Sequence, residues 1–191
     1  MRSFNSQGTE ELIEGCINGD RKCQQGIYQM LYGKMMSLCL RYTNDSDEAK
    51  DVLQDGFIKV FNNLRKFDFN GSFEGWVRRI IVNTAIDYYR KNKNLYALLD
   101  SNSSVEDISP MEEGDAEDSI YSNIKTSDII TAVQQLSPAY RTVFNLYVME
   151  GYSHQQIADE LNISIGTSKS NFSKAKQNLQ KILKNKIPHY E

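Results

Sequence analysis

Apolar residues recur at helical spacing through most of the chain, and no segment shows the sustained apolar-polar alternation of a half-buried strand. The clearest stripe spans residues 49–64, where apolar side chains return every three or four positions. Further stripes occupy residues 73–85 and 129–182. Because an amphipathic helix must bury its apolar face against other elements, the pattern predicts an all-α fold made of helix bundles.

A stretch of different composition divides this helical pattern. Residues 97–124 contain eight acidic residues and no basic residue, together with several serines, a proline and a glycine. Such a segment buries too little apolar surface to offset the entropy lost on ordering. We therefore expect two small helical domains joined by a flexible acidic linker, with an N-terminal helix bundle at 1–94, the linker at 95–125 and a C-terminal domain at 126–187.

The net charge of -3 becomes informative when it is divided along the chain. Outside residues 97–124, the 22 basic residues outnumber the remaining 17 acidic residues by five. Residues 164–187 hold six lysines and no acid, which is a cationic stripe of the kind that phosphate backbones attract. A lysine-rich helix face that is merely solvated has the same composition, so the stripe alone does not identify a DNA-binding surface.

Several function classes find no support in the sequence. The chain has no apolar run of membrane-span length and no secretion signal, which predicts a cytoplasmic protein without membrane insertion. Cys16, Cys23 and Cys39 are odd in number and lack CxxC spacing, so we expect reduced thiols and no metal site. We find no catalytic triad and no phosphate-binding glycine loop, and therefore expect a protein that is not an enzyme and needs no cofactor.

The C-terminal part has the local signals of a helix-turn-helix. Ser153 and Gln156 have capping-box spacing at the start of a short helix, Asn162 tolerates a left-handed turn, and Ser164 can cap a final long helix. A short helix, a tight turn and a longer lysine-bearing helix together make a helix-turn-helix. The second helix of this motif fits the major groove of DNA. An αα-hairpin with a solvated face is the structural alternative on these residues alone.

Residues 136–179, LSPAYRTVFNLYVMEGYSHQQIADELNISIGTSKSNFSKAKQNL, resemble the promoter -35-binding domain of extracytoplasmic-function sigma factors, a subfamily of the sigma-70 family. Two positions depart from the family's commonest pattern, because Ser168 replaces an apolar residue and Asn171 replaces an arginine. The base preference at -35 therefore does not carry over. The resemblance implies base-edge or phosphate contacts from one group of side chains, Lys169, Ser170, Asn171, Ser173 and Lys174, and DNA-backbone contacts from Thr167 and Lys176.

Residues 47–68, DEAKDVLQDGFIKVFNNLRKFD, resemble the family segment that docks on the clamp helices of the polymerase largest subunit. On a helix, Asp51, Gln54, Asp55 and Ile58 form one stripe opposite the core face. An isoleucine exposed among acids indicates a partner, although single exposed apolar residues are also common on solvated faces. The resemblance assigns this stripe to RNA polymerase. The family resemblance of the chain as a whole also implies a contact with the flap of the second-largest subunit.

Residues 72–93, SFEGWVRRIIVNTAIDYYRKNK, resemble the helix that recognises the -10 element and helps to hold it open. In the family, a -10 base flips into a pocket made by the preceding loop, here residues 67–72, with help from the position of Asn83. Trp76 is expected in the core. Cations follow phosphates and rings stack on exposed bases, so the groups off the apolar stripe suit single-stranded DNA: Arg78, Arg79, Asn83, Asp87, Tyr88, Tyr89, Arg90 and Lys91.

These resemblances together imply a sigma factor that binds core RNA polymerase, directs it to promoter DNA through the -35 and -10 elements and helps to melt the duplex. They also imply an anti-sigma factor as a partner. One alternative is a stand-alone helix-turn-helix transcriptional regulator, which would not need the stripe at residues 51–58. Another alternative is an interaction adaptor, such as an anti-sigma partner. For an adaptor, reversing the charges of Lys169 and Lys174 would not abolish polymerase-dependent transcription.

Overall fold

The computed structural model of the chain describes residues 6–100 and 126–186. Every regular element within these two ranges is helical, which confirms the all-α prediction. The eight α-helices are α1 (Ser6–Ile17), α2 (Arg21–Tyr42), α3 (Ser46–Asn63), α4 (Phe73–Asp100), α5 (Thr126–Gln134), α6 (Pro138–Phe144), α7 (His154–Leu161) and α8 (Ile165–Lys186). A short 3-10 turn (Leu64–Lys66) follows α3, and a π-helical turn (Asn145–Met149) follows α6.

The helices form two compact units, which agrees with the expected two helical domains but not with the expected boundary, because the division falls after residue 87 and not after residue 94. Of the described residues, 6–40 and 45–87 form the first unit, and 41–44, 88–100 and 126–186 form the second. Helix α4 continues to Asp100, past the predicted start of the linker at residue 95, because residues 95–99 are rich in leucine and alanine, which favour helix. The rest of the expected linker lies outside the described residues, so its flexibility stays a prediction.

The first unit is built around the buried faces of α2, α3 and α4. Helix α3 buries the apolar stripe that its sequence predicted, and α2 contributes a row that includes Ile27 and Leu31. Gly56 permits close packing of α3, since a Cβ at this position would overlap the side chain of Ile81 on α4. The opposite face of α3 is thereby left at the surface.

The second unit contains the helix-turn-helix. Ser153 makes the expected capping box with Gln156 at the start of α7, and Asn162 ends that helix in the left-handed conformation (φ 51°, ψ 57°). The Ser164 hydroxyl accepts a hydrogen bond from the Thr167 amide at 2.9 Å and so caps α8. Three residues, 162–164, separate the two helices. The local geometry therefore confirms the predicted helix-turn-helix.

Candidate nucleic-acid interface

Helix α8 turns opposite faces to the core and to solvent. Its inward row is the predicted one: Ser168, Ala175 and Leu179 are buried, while Phe172 and Ile182 are partly buried. The predicted -35 residues lie off the buried row, with Thr167, Lys169, Ser170 and Lys176 exposed and Asn171, Ser173 and Lys174 half-buried.

The exposed start of α8 offers charge and hydrogen-bonding groups in a regular array. Lys169, Ser173 and Lys176 are four and three positions apart and therefore share one helical face. The Lys176 ammonium also lies 5.5 Å from the centre of the Phe172 ring. Ammonium and hydroxyl groups bind phosphate oxygens and base edges in the major groove, so this face is chemically suited to duplex DNA.

The predicted -10 residues on α4 differ in their surroundings. Asp87 accepts from the Lys59 ammonium at 2.9 Å, and within the second unit Arg90 pairs with Glu160 at 3.0 Å. Arg79, Asn83, Arg90 and Lys91 are exposed, whereas Arg78, Asp87 and Tyr88 are half-buried.

One aromatic residue of α4 was interpreted wrongly from the sequence. Tyr89 is only 7% exposed, and its ring stacks on Tyr96 at a centroid distance of 6.3 Å. It falls on the helical face of Ala85 and Ile86, which are also buried. Tyr89 is therefore a core residue, and Tyr88 is the neighbouring ring that lies nearer the surface.

The loop before α4 presents an aromatic ring that sequence reasoning did not single out. Phe69 is 46% exposed and has a backbone φ of 60°. Positive φ is uncommon for a bulky residue and costs on the order of 1–3 kcal/mol, so surrounding contacts must hold it. The Phe69 ring packs on Phe67 at 5.1 Å, and Phe67 in turn contacts Phe73 and Trp76. Trp76 belongs to this aromatic cluster but is only half-buried, so it lies at the edge of the core in which the sequence placed it.

The stripe of α3 opposite the core is exposed as predicted. Asp51, Gln54 and Asp55 are at the surface, and Ile58 is 50% exposed. Beside the stripe lies a groove of about 440 Å³, which we call the tyrosine groove. Its lining comprises Tyr28, Tyr32, Lys50, Leu53, Gln54, Phe57, Ile58 and Phe61.

The two tyrosines of this groove were missed by sequence reasoning. Tyr28 and Tyr32 are 37% and 40% exposed, and the Tyr28 ring lies 4.8 Å from Phe57. The signal in the sequence was their spacing of four residues on α2, beside the core row that contains Ile27 and Leu31. The α3 stripe therefore continues onto aromatic surface supplied by α2.

His154, the first residue of α7, contacts α8 from inside the helix-turn-helix. Its Nδ1 lies 2.9 Å from the Ser168 hydroxyl, and its ring stacks on Tyr147 with centroids 4.5 Å apart. Burial lowers the pKa of His154 below its usual value of 6.5, and repulsion from the Lys169 ammonium lowers it further. The imidazole is therefore expected to be neutral at physiological pH.

A titration of this imidazole checks its environment. The variant H189Q leaves His154 as the sole histidine, and its ring resonances in an NMR pH titration are expected to give a midpoint below 6.5. Adding K169Q removes the repelling charge and should raise that midpoint. Because the unfolded chain takes up the proton first as pH falls through about 6.5, His154 should make the fold less stable at acidic pH. A midpoint at or above 6.5 would contradict this description.

Other kinds of site find no support in the part of the chain that the structure describes. No helix there combines the length and apolarity needed to cross a membrane. Histidine, cysteine and carboxylate side chains of the described ranges do not gather in groups that could hold a metal ion. Cys16 and Cys39 are buried cysteines that form no disulfide, and burial raises the pKa of the Cys16 thiol to about 11, which keeps it protonated at neutral pH.

Comparisons with known proteins agree with this arrangement. Residues 27–95 match the family model Sigma-70 region 2, and residues 126–179 match the model Sigma-70, region 4. The ECF RNA polymerase sigma factor SigW of Bacillus subtilis is 30% identical over 177 residues, which cover 90% of this chain and 95% of SigW. The RNA polymerase sigma-H factor of Pseudomonas aeruginosa is 26% identical, with 91% of this chain and 93% of that protein covered.

Among solved structures, the sigma factor RpoE in a co-crystal structure with the anti-sigma factor NepR from Bartonella quintana is 22% identical, with a TM-score of 0.48. That match covers 84% of this chain and 96% of the RpoE chain. The family assignment depends on the sequence matches, which span both compact units and nearly the whole length of SigW. The chain therefore belongs to the extracytoplasmic-function group of the sigma-70 family, the factors that direct RNA polymerase to promoters.

Proposed function

We propose that this sigma factor docks on core RNA polymerase through the exposed stripe of α3, reads the -35 element with α8 and holds the melted -10 strand with α4 and its preceding loop. The observation that carries the proposal is the two-sided character of α8. Its apolar row is held in the core while Thr167, Lys169 and Ser170 project from its first turns. A recognition helix needs one face that is packed against the protein core and an opposite face that carries polar and cationic side chains for DNA.

For the -35 element, α8 would enter the major groove with its N-terminal turns. Lys169, Ser170, Asn171, Ser173 and Lys174 would meet base edges or phosphates, and Thr167 and Lys176 would hold the DNA backbone. Asparagine pairs with the edge of adenine, whereas arginine pairs with guanine. We therefore expect the base read by Asn171 to differ from the one that an arginine at this position would select.

For the -10 element, the basic side chains of α4 would follow the phosphates of one strand. Arg78, Arg79, Arg90 and Lys91 supply the charge, Asn83 and Asp87 supply hydrogen bonds, and Tyr88 supplies a ring. The exposed ring of Phe69 supports a role for the loop, because a flipped base gains about 1–3 kcal/mol by stacking on an aromatic side chain. The loop and α4 would then stabilise the open strand together.

For the polymerase, Asp51, Gln54, Asp55 and Ile58 would contact the clamp helices of the largest subunit, and the second unit would contact the flap of the second-largest subunit. The acidic stripe suits a basic partner surface, and the exposed Ile58 supplies an apolar anchor beside the tyrosine groove. We also propose an anti-sigma factor as partner, as the family resemblance implies. A factor covering the α3 stripe would prevent polymerase binding.

The polymerase performs the chemistry in this proposal, and the sigma factor contributes binding alone. Its place of action would be the cytoplasm, where promoters and polymerase meet. A stand-alone helix-turn-helix regulator is not favoured, because the Sigma-70 region 2 match spans residues 27–95, which such a regulator has no reason to carry.

In vitro transcription with bacterial core polymerase on a randomised promoter library tests the proposal. We expect the transcribed templates to share two sequence blocks, one near -35 and one near -10. The same reaction with core polymerase alone is the control and should show neither block. Failure of the purified protein to associate with core polymerase at low salt would contradict the proposal.

A further inference from the structure

A buried polar residue stands on the inward row of α8. Ser168 is fully buried, and its hydroxyl lies 2.9 Å from Nδ1 of His154. The family pattern has an apolar residue at this position. Packing of α8 against α7 therefore does not itself require a hydroxyl here. Burying a hydroxyl is favourable only when it is hydrogen-bonded, which makes His154 necessary to Ser168 in this chain.

The imidazole that meets Ser168 is itself fixed by neighbours from two further elements. Tyr147, from the π-helical turn, stacks on it with an interplanar angle of 18°, and Phe172 of α8 meets it edge-on at a centroid distance of 5.8 Å. The capping box at Ser153 fixes the backbone directly before it. The His154 ring is therefore held in a defined orientation on α7. Through its hydrogen bond to Ser168 it can fix the position of α8 relative to α7.

A hydrogen bond constrains α8 in a way that an apolar contact does not. Its energy falls steeply when the donor angle departs from linear, whereas apolar attraction has little directional preference. Successive residues of a helix are about 100° apart around its axis, so fixing Ser168 also fixes the direction of Lys169 and Ser170. These two residues are exposed and stand in the proposed -35 interface.

We propose that His154 is a positioning residue for -35 recognition, which acts through Ser168 to set the rotation of α8 in the major groove. The inference rests on the proposed reading of the -35 element by α8. It assigns a role in DNA recognition to a residue that does not itself face the groove side of α8.

The test compares matched variants in complete holoenzyme. S168A removes the hydroxyl, H154F keeps an aromatic ring without a hydrogen-bonding nitrogen, and H154N keeps a polar group near the place of Nδ1. Initiation is measured at limiting holoenzyme on two templates. One is a duplex promoter with its -35 element, and the other is the same promoter with a scrambled -35 and a pre-melted -10 region.

We expect S168A and H154F each to lower initiation about 10-fold on the -35-dependent template. The double variant S168A/H154F should lose about 10-fold as well, since both changes remove the same hydrogen bond. H154N should retain activity within about 3-fold of the wild type. On the pre-melted template, every variant should stay within about 2-fold, because no -35 contact is needed there.

Different results separate a positioning role from general stabilisation. Equal losses on both templates, a double variant reduced about 100-fold, or an H154N loss as large as that of H154F would each overturn the inference. If the wild type loses initiation when the -35 element of the duplex promoter is scrambled, but the single variants match the wild type on the intact duplex, the inference alone is overturned. If scrambling the -35 element of the duplex promoter leaves wild-type initiation unchanged, the proposed reading of -35 is overturned and this inference with it.

Discussion

Replacing Lys169 and Lys174 together by glutamate is expected to lower initiation from a -35-dependent promoter by about 100-fold. A lysine paired with a guanine edge contributes about 1–3 kcal/mol of discrimination, and each 1.4 kcal/mol corresponds to about a tenfold change in affinity. Charge reversal also brings carboxylates near phosphates, which adds repulsion. The loss should be measured by run-off transcription with limiting holoenzyme at a fixed salt concentration, because lysine-phosphate contacts weaken as salt rises.

A charge-matched variant on the same helix provides the control. K181E/K184E makes the same net change at two exposed lysines about 18 Å or more along α8 from Lys169, beyond the Debye length of about 8 Å at physiological salt. This control should retain activity within about 3-fold. Equal losses in the two double variants would show that net charge alone, and not the N-terminal face of α8, governs -35 binding.

Replacing Asp51 and Asp55 together by lysine is expected to weaken association with core RNA polymerase by about 100-fold. Both carboxylates are exposed on the α3 stripe beside Ile58, and reversing their charge places like charges against the basic surface that the stripe would meet. Residues at the centre of an interface each contribute about 2–4 kcal/mol when they are hot spots. Titration of fluorescently labelled protein with core polymerase measures the change directly.

The variant E11K/E14K serves as the comparison for this experiment. Glu11 and Glu14 are exposed on α1 in the same unit, and the substitution changes the net charge by the same amount. Its affinity for core polymerase should stay within about 3-fold of the wild type. If D51K/D55K bound core polymerase as tightly as this comparison variant, the α3 stripe would not be the docking surface.

Much of the fold follows from interactions between residues close together in the sequence. The capping box of Ser153 and Gln156, the left-handed Asn162 and the cap from Ser164 all depend on neighbours within four positions, and all three were predicted. The inward row of α8 was also predictable, because helical periodicity marks it directly. Exposure of the α3 stripe followed in the same way from the buried face opposite it.

Features that depend on packing between elements were not predictable from these patterns. The exposed ring of Phe69 depends on an aromatic cluster that holds its strained backbone, and the tyrosine groove forms only where α2 meets α3. Tyr89 is a different case, because it continues the buried face of Ala85 and Ile86 on α4, and this periodic signal was overlooked beside its neighbour Tyr88. The pairing of His154 with Ser168 spans 14 residues and was seen only as a departure from the family pattern.

The π-helical turn at Asn145–Met149 has an evolutionary consequence. It winds one more residue into its turn than an α-helix does, and it carries the Tyr147 ring that stacks on His154. Deleting one codon there would remove the residue that the wider turn accommodates, and with it the placement of the Tyr147 ring against His154. Asn145 and Leu146 of this turn are buried and Tyr147 stacks on His154, whereas Val148 is exposed, so natural homologues should vary at Val148 while purifying selection removes insertions and deletions.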